Sequence, residues 1–315
     1  MGKASATTTT AANSATARCQ QFLAGCDGFH LTEIYNRLAY ERLVRKHDDI
    51  VSTFYRGGES WNQTLFVTFL RFLGAPDNSN AFETLAQRVG FPNAVRYMNS
   101  AADLEALLIG TSGLLELYRN DIYVLDLKRR FAEMARKHHI EPMLAQQWRT
   151  NNIYPHNHPI IRLAQAAAFF AQRGIEIKSV TACASPQQAE QLFDVTASDY
   201  WLEHFIPSQT SAPRAKRIGK SKAHILAINV VVPLKFAYGH YTERYELCDE
   251  ATNLLEDLPP EDNFKIRQWK QCGIKPCNAY ESQALIQLTN EYCGRQRCHD
   301  CPVGLRVEAK EKAAR

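Results

Sequence analysis

The sequence predicts an all-α protein, an irregular multi-helix bundle that carries a cysteine-rich loop near its C-terminus. Two observations favour this class. Apolar residues recur at helical spacing through most of the chain, and no stretch of β-branched residues alternates with polar residues at the period of a strand. The one strand-like patch, Val230-Val231-Val232, is followed by Pro233, which cannot donate a backbone hydrogen bond within a central strand.

The first half, residues 30–150, holds the clearest helical patterns. Ser60 is suited to cap the start of a helix, and Gly74-Ala75-Pro76 is suited to end it. Residues 48–56 either continue the first helix or form a short second one. The predicted helices of this half cover residues 30–46, 61–73, 81–89, 101–109 and 120–138.

The second half, residues 151–305, follows a proline-rich connection over residues 141–159. Ser221 is predicted to cap an apolar helix that Pro233 should kink, because proline removes a backbone hydrogen bond from a helix interior. A polar loop is predicted over residues 207–213. The predicted helices cover residues 160–172, 186–193, 196–205, 221–238, 243–256, 260–271 and 279–292.

The two ends of the chain are predicted to be segments separate from the two helical halves. Residues 1–29 are predicted to be a disordered leader, because residues 1–18 are mostly Ala, Thr and Ser and contain no apolar segment of a signal peptide. An organellar transit peptide would share the lack of acidic residues, but it would be richer in arginine. Residues 306–315 are predicted to form a charged tail.

Composition excludes several classes of protein. A chain of 315 residues with 45% hydrophobic residues is neither disordered nor too small to bury a core. No apolar run approaches the roughly 18 residues of a membrane span, so we expect no membrane partner. Nine cysteines without a secretory signal are not a disulfide framework, which favours a reducing cytoplasm.

The cysteine-rich loop carries the most specific local pattern. Cys293-x4-Cys298-x2-Cys301 supplies three soft thiolate ligands, which suit Zn²⁺ or an iron–sulfur cluster. The neighbouring Arg295 and Arg297 are expected to lower the pKa values of these thiols. Such a site normally has four ligands, and the sequence leaves four candidates for the fourth: Cys248, Cys272, Cys277 and His299. The alternative is a loop of reduced thiols without metal.

A second candidate site is a run of cations in the second half. Five of them precede or begin an apolar helix, where backbone amides could join them in holding a phosphate. They are Arg214, Lys216, Arg217, Lys220 and Lys222. We expect them to contact nucleic acid, although a solvated connection would have the same composition. The net charge of +4 alone is too small to indicate nucleic acid.

No catalytic constellation is visible, so the sequence leaves open whether the protein is an enzyme. It contains no Gly-x-Ser-x-Gly elbow, no His-Glu-x-x-His motif and no carboxylate pair with lysine at the spacing of a nuclease.

Several segments of the second half resemble one bacterial family, the domain of unknown function 2851. They are Ile161-Arg162-Leu163-Ala164-Gln165, Gly219-Lys220-Ser221, Asn229, Pro233, Ala237-Tyr238-Gly239, Leu258-Pro259-Pro260-Glu261, Ser282 to Leu288, Asn290 to Cys293, and Cys298-x2-Cys301-x2-Gly304. The resemblance covers the chain from about Arg37 onward. It implies no established activity. Fuller members begin with a segment similar to a nuclease core, which is absent where this chain has its Ala/Thr leader.

Two functions are therefore expected. The first is a helical module, stabilised by a metal in its cysteine-rich loop, that binds nucleic acid and assists a nuclease-like domain supplied in trans. The alternative is a structural or protein-interaction scaffold with reduced cysteines and no metal.

Overall fold

The computed structural model describes residues 17–118 and 120–314. It confirms the all-α class, because these residues form helices joined by loops and include one small two-stranded sheet. In the first half the helices are α1 (residues 17–24), α2 (Gly28–Arg56), α3 (Trp61–Leu73), α4 (Ser79–Val89), α5 (Phe91–Tyr97), α6 (Ala101–Thr111) and α7 (Ile122–His138).

The second half contains further helices and the sheet. The helices are α8 (Pro159–Arg173), α9 (Ile177–Thr181), α10 (Pro186–Leu192), α11 (Lys220–Leu226), α12 (Val232–Tyr241), α13 (Tyr245–Asp257), α14 (Phe264–Gln271), α15 (Ala279–Gln287) and α16 (Pro302–Ala313). The strands are β1 (His204–Ile206) and β2 (Gln209–Thr210), which pair antiparallel with His204 opposite Thr210. None of the described helices is long and apolar enough to cross a membrane.

The chain divides into two compact units whose boundaries differ from the predicted halves. Of the described residues, 17–48 and 252–314 form the terminal unit, and 49–118 and 120–251 form the central unit. The terminal unit therefore combines both ends of the sequence.

The terminal unit has its own apolar core. Leu38, Trp269 and Leu285 are buried in a cluster that also receives Leu23 from α1 and Val303 from α16. Because these side chains come from both ends of the chain, burial of apolar surface holds the first and last segments in one unit.

The core of the central unit is rich in aromatic side chains. Phe69 of α3 stacks on Phe169 of α8 with ring centroids 4.3 Å apart, and Phe193 packs against both rings. Ser60 caps α3 by accepting a hydrogen bond from the backbone N–H of Gln63, as predicted. Gly74 follows the last residue of the helix, also as predicted.

The prediction of a disordered leader is wrong within the described residues. Residues 17–24 of the predicted leader are helical, and Leu23 is buried because it packs into the terminal core. The predicted charged tail belongs to α16, where Val307 packs against the same core. Residues 1–16 lie outside the described part of the chain.

Two predictions in the second half also need correction. Residues 196–205 do not form an α-helix, since only a short 3₁₀ turn, Asp199–Leu202, precedes strand β1. The predicted Ser221 cap is wrong because Gly219 occupies the cap position of α11 and Ser221 lies within the helix. Before Pro233, the chain passes through a π-helical turn, Ala227–Val231, which accommodates the proline at the start of α12.

Candidate functional site

The predicted cationic run lies on an extended stretch and the first turn of α11, residues 211–222, which together we call the basic segment. It is pinned to the preceding chain by backbone hydrogen bonds. The N–H of Arg214 donates to the carbonyl of Leu202 (2.8 Å), and the N–H of Ile218 donates to the carbonyl of Val195 (3.3 Å). The N–H of Ala197 also donates to the carbonyl of Lys216 (3.2 Å), so the chain predicted to be helical over 196–205 is paired with the basic segment instead.

Lys216 does not face solvent, which contradicts its predicted role as a contact for nucleic acid. Its side chain is buried, and Nζ donates to the carbonyl oxygens of Leu202 (2.8 Å) and Arg214 (3.1 Å). The ammonium also lies 4.2 Å from the centroid of the Phe205 ring, within the range of a cation–π interaction. Lys216 therefore braces the basic segment from within.

Lys222 is also buried and contradicts the same prediction. Its Nζ donates to the carbonyl oxygen of Ala75 at 2.7 Å. Burial lowers the pKa of Lys222 to about 7, and the nearby charge of Arg162 acts in the same direction against the opposing effect of Asp77. A lysine in this position anchors α11 to the loop after α3 and has no free ammonium for a phosphate.

Arg162, which belongs to the family-like segment of α8, supports the basic segment from another side. Its guanidinium is buried and donates to Gln165 Oε1 (2.8 Å) and Asn157 Oδ1 (2.7 Å). Gln165 in turn donates through Nε2 to the carbonyl oxygen of Arg217 (2.9 Å). Burial lowers the pKa of Arg162 to about 10.

Three of the five predicted cations are exposed: Arg214, Arg217 and Lys220. Arg217 forms an ion pair with Asp194 at 3.5 Å. Arg214 and Lys220 have no ion pair within residues 17–118 and 120–314. The predicted basic surface is thus limited to three exposed side chains, and hydrogen bonds fix the backbone that carries them.

The second candidate site is the loop after α15 in the terminal unit. A π-helical turn, Leu288–Cys293, precedes it, and the N–H of Arg297 donates back to the carbonyl of Tyr292 at 2.9 Å. Cys301 then occupies the cap position of α16. A Cβ on Gly304 would lie 2.4 Å from the carbonyl oxygen of Cys298, so this turn requires glycine at position 304.

The pKa values of Cys293 and Cys301 are raised, contrary to the expected effect of Arg295 and Arg297. Burial is the main cause for Cys293, whose pKa rises to about 12. Burial also raises the pKa of Cys301, although the backbone N–H groups of Gly304 and Val303 act against this shift by donating to the sulfur. The two arginines are engaged by carboxylates: Arg295 pairs with Glu291 and Arg297 with Asp300, each at 3.0 Å.

Sequence reasoning missed a fourth cysteine beside the loop, because Cys19 fell within the predicted leader. Burial raises the pKa of Cys19 to about 11, and the negative charges of the Cys301 and Cys298 thiolates add to that effect. Cys19 and Cys293 also pack against the core cluster that includes Cys301. Phe22 and Leu23, one helical turn after Cys19, were the available signal that this segment packs into a core.

The four earlier candidates for a fourth ligand have other surroundings. Cys272 occupies the cap position after α14, and Cys277 is exposed beyond it. His299 is exposed and lies 3.3 Å from Asp300, whereas Cys248 belongs to the central unit and donates to the carbonyl oxygen of Phe236. Among the described residues, no three His, Cys, Asp or Glu side chains already converge as a metal site.

Comparison with known proteins gives one match. A family model described as "Protein of unknown function (DUF2851)" matches residues 4–264, which begins earlier than the resemblance noted from Arg37 and ends before the cysteine loop. No curated protein and no solved structure matches the chain. Since the family model covers well over half of the sequence, the chain belongs to the DUF2851 family.

Proposed function

We propose that this chain is a helical nucleic-acid-binding module whose C-terminal cysteine loop holds a metal ion or cluster. The basic segment would contact phosphates through Arg214, Arg217 and Lys220. Zn²⁺ or an iron–sulfur cluster would join the cysteine loop to the rest of the terminal unit. The resemblance to fuller family members suggests that the module assists a nuclease-like domain supplied in trans.

The observation that carries the nucleic-acid part is the bracing of the basic segment. Buried Lys216 and Lys222 donate to backbone carbonyls, so their charges support a fixed backbone while three cations remain outside. A fixed backbone lowers the entropy cost when exposed arginines engage phosphates. Arginine can also bind a phosphate through two parallel hydrogen bonds.

The metal part is supported by the chemistry of the donors. Thiolates are the ligands that zinc and iron–sulfur clusters prefer, and backbone N–H groups directed at Cys301 resemble the outer hydrogen bonds that orient such ligands. Cys293 is the last residue of a π-helical turn that follows α15, and such turns are frequent at functional sites. A metal held there would have a structural role.

Binding of a short duplex and a single strand, measured by fluorescence anisotropy over a range of salt concentrations, tests the nucleic-acid part. We expect affinity that falls as salt rises, because phosphate contacts release counterions. Replacing Arg214, Arg217 and Lys220 together by Gln should reduce the salt slope by about 0.7–0.9 for each phosphate that is no longer neutralised.

The matched control replaces three exposed cations elsewhere in the central unit by Gln, namely Arg136, Lys137 and Lys178. The overall charge changes equally in both triple variants, so only a local interaction separates them. Undetectable binding at low salt, binding indifferent to salt, or an equal decrease of affinity in the two variants would each contradict the proposal.

A second candidate is a protein-interaction scaffold with reduced cysteines, which is favoured by apolar side chains exposed around the start of α7. Ile122 is 86% exposed, and Leu117 and Leu125 are each 51% exposed. Such side chains are typical of contact surfaces when they lie together. A folded, metal-free chain without affinity for nucleic acid would favour this candidate.

A further inference from the structure

A three-thiol loop is an incomplete metal site. Structural zinc sites and most clusters of this kind are held by four protein ligands. The Cys293-x4-Cys298-x2-Cys301 motif supplies three of them. The fourth must come from another element of the terminal unit or from outside the chain.

Helix α1 lies beside α16, which directly follows the cysteine loop. Arg18 Nη1 donates to Glu311 Oε1 at 3.0 Å, and Lys310 Nζ lies 5.9 Å from the centroid of the Phe22 ring. Cys19 is next to Arg18 and one turn before Phe22. These contacts place α1 beside the C-terminal part of α16, so Cys19 lies in the same unit as Cys293 although it precedes Cys293 by 274 residues (293 − 19).

The four thiols are also neighbours of one another. Cys19 is within electrostatic range of Cys298 and Cys301, and Cys293 is within range of all three others. Cys19, Cys293 and Cys301 belong to one packed cluster, in which Cys301 itself is buried. If ionised together, four thiolates repel one another, and a bound cation removes that repulsion.

We propose that Cys19, Cys293, Cys298 and Cys301 form a four-thiolate site for zinc or an iron–sulfur cluster. This inference rests on the metal part of the proposed function and adds its missing ligand. Zn²⁺ binding forms four sulfur–metal bonds and releases the thiol protons to solvent, without electron transfer. The side chains turn toward a common centre on binding, since no three of them already converge in the described part of the chain.

Cys26 provides a matched control for Cys19. It follows Cys19 by seven residues and packs against the same core cluster. Its electrostatic neighbours, however, are Asp27, Arg306 and Lys310. Cys26 should therefore remain outside the metal site.

The first experiment leaves the sequence unchanged. The full chain is purified without oxygen, loaded with Zn²⁺, and treated with iodoacetamide before and after addition of a chelator, and the alkylated cysteines are identified by mass spectrometry. We expect metal to protect Cys19 together with the three loop cysteines, and the chelator to release all four. Cys26 should react equally in both states.

The second experiment compares the variants Cys19→Ser, Cys26→Ser and Cys298→Ser, each checked for helical content by circular dichroism. We expect Cys19→Ser and Cys298→Ser to weaken Zn²⁺ binding by more than about 100-fold, because even removal of an outer hydrogen bond to a ligand weakens metal binding roughly 10–100-fold. Cys26→Ser should bind as the wild type does.

The outcomes distinguish metal binding by the cysteine loop from the assignment of Cys19 as its fourth ligand. If the wild type binds neither zinc nor a reconstituted iron–sulfur cluster, the metal part of the proposed function fails, and this inference fails with it. If the wild type binds metal and needs Cys298, but Cys19 stays reactive and Cys19→Ser binds normally, only the assignment of Cys19 is overturned.

Discussion

At the scale of single residues, the basic segment depends on lysines that do not face solvent. Lys222 sits in a site where burial opposes its charge, yet its Nζ donates to the carbonyl of Ala75. Its charge is therefore more costly in the folded chain than in the unfolded chain. This difference has a consequence for the pH dependence of stability.

Stability should rise as pH increases from about 7 toward 10.5. Lys222 has a folded pKa of about 7 against an ordinary value of 10.5, so within this window the unfolded chain binds more protons. Linkage then makes the free energy of unfolding grow with pH, by up to about 1.4 kcal/mol per pH unit from this group. Below pH 7 both states are protonated and this contribution to the slope disappears.

Urea unfolding of the wild type and of Lys222→Met at pH 7, 8 and 9 measures the effect. The variant should show a smaller increase between pH 7 and 9, because it lacks the titrating group. Lys220→Met is the control, since the exposed side chain of Lys220 lies only two residues away. Equal slopes in the wild type and Lys222→Met would refute the explanation.

At the scale of elements, the turn between Cys298 and α16 depends on a close backbone approach. A Cβ at position 304 would lie 2.4 Å from the carbonyl oxygen of Cys298 and 3.3 Å from Cys301 Cβ. Because the first of these atoms belongs to the backbone, a rotamer change cannot relieve the clash. The loop itself would have to move.

Gly304→Ala should therefore destabilise the terminal unit by about 1–3 kcal/mol and weaken metal binding, as expected for forced overpacking. Gly28→Ala is the control, because its added Cβ would meet no atom within 4 Å. Chemical unfolding and zinc titration of both variants provide the measurements. A Gly304→Ala variant as stable and as metal-competent as Gly28→Ala would show that the turn tolerates a side chain.

Elements with strong local signals could be predicted from the sequence. The stripe of apolar side chains in α3, its Ser60 cap and its end at Gly74 all agree with the structure. Residues 196–205 have a helical pattern as well, but tertiary contacts override it. Trp201 is fully buried and donates to Glu105 Oε2 at 3.0 Å, while the backbone on either side pairs with the basic segment.

The candidate sites were only partly predictable, because local patterns in the sequence do not report tertiary contacts. Spacing identified the three loop cysteines, because their relation is local in sequence. Composition assigned Cys19 to a disordered leader, since no local pattern reports a contact with residues almost a whole chain away. Composition likewise could not separate buried Lys216 and Lys222 from exposed Arg214, Arg217 and Lys220.

At the scale of the whole molecule, the terminal unit is assembled from both ends of the sequence. A metal that joins Cys19 to Cys293, Cys298 and Cys301 would close a loop containing the entire central unit. A metal that binds only to the folded state increases the free energy of unfolding by mass action. A structural metal at this point would thus stabilise the terminal unit.

The most direct test of the proposed metal site is the metal content of the chain purified without oxygen, combined with its absorbance spectrum. We predict about one equivalent of zinc per chain, or iron and sulfide with the brown colour of a cluster, as four thiolates would hold. A folded chain that contains neither metal, and that takes up neither on reconstitution, would contradict the site.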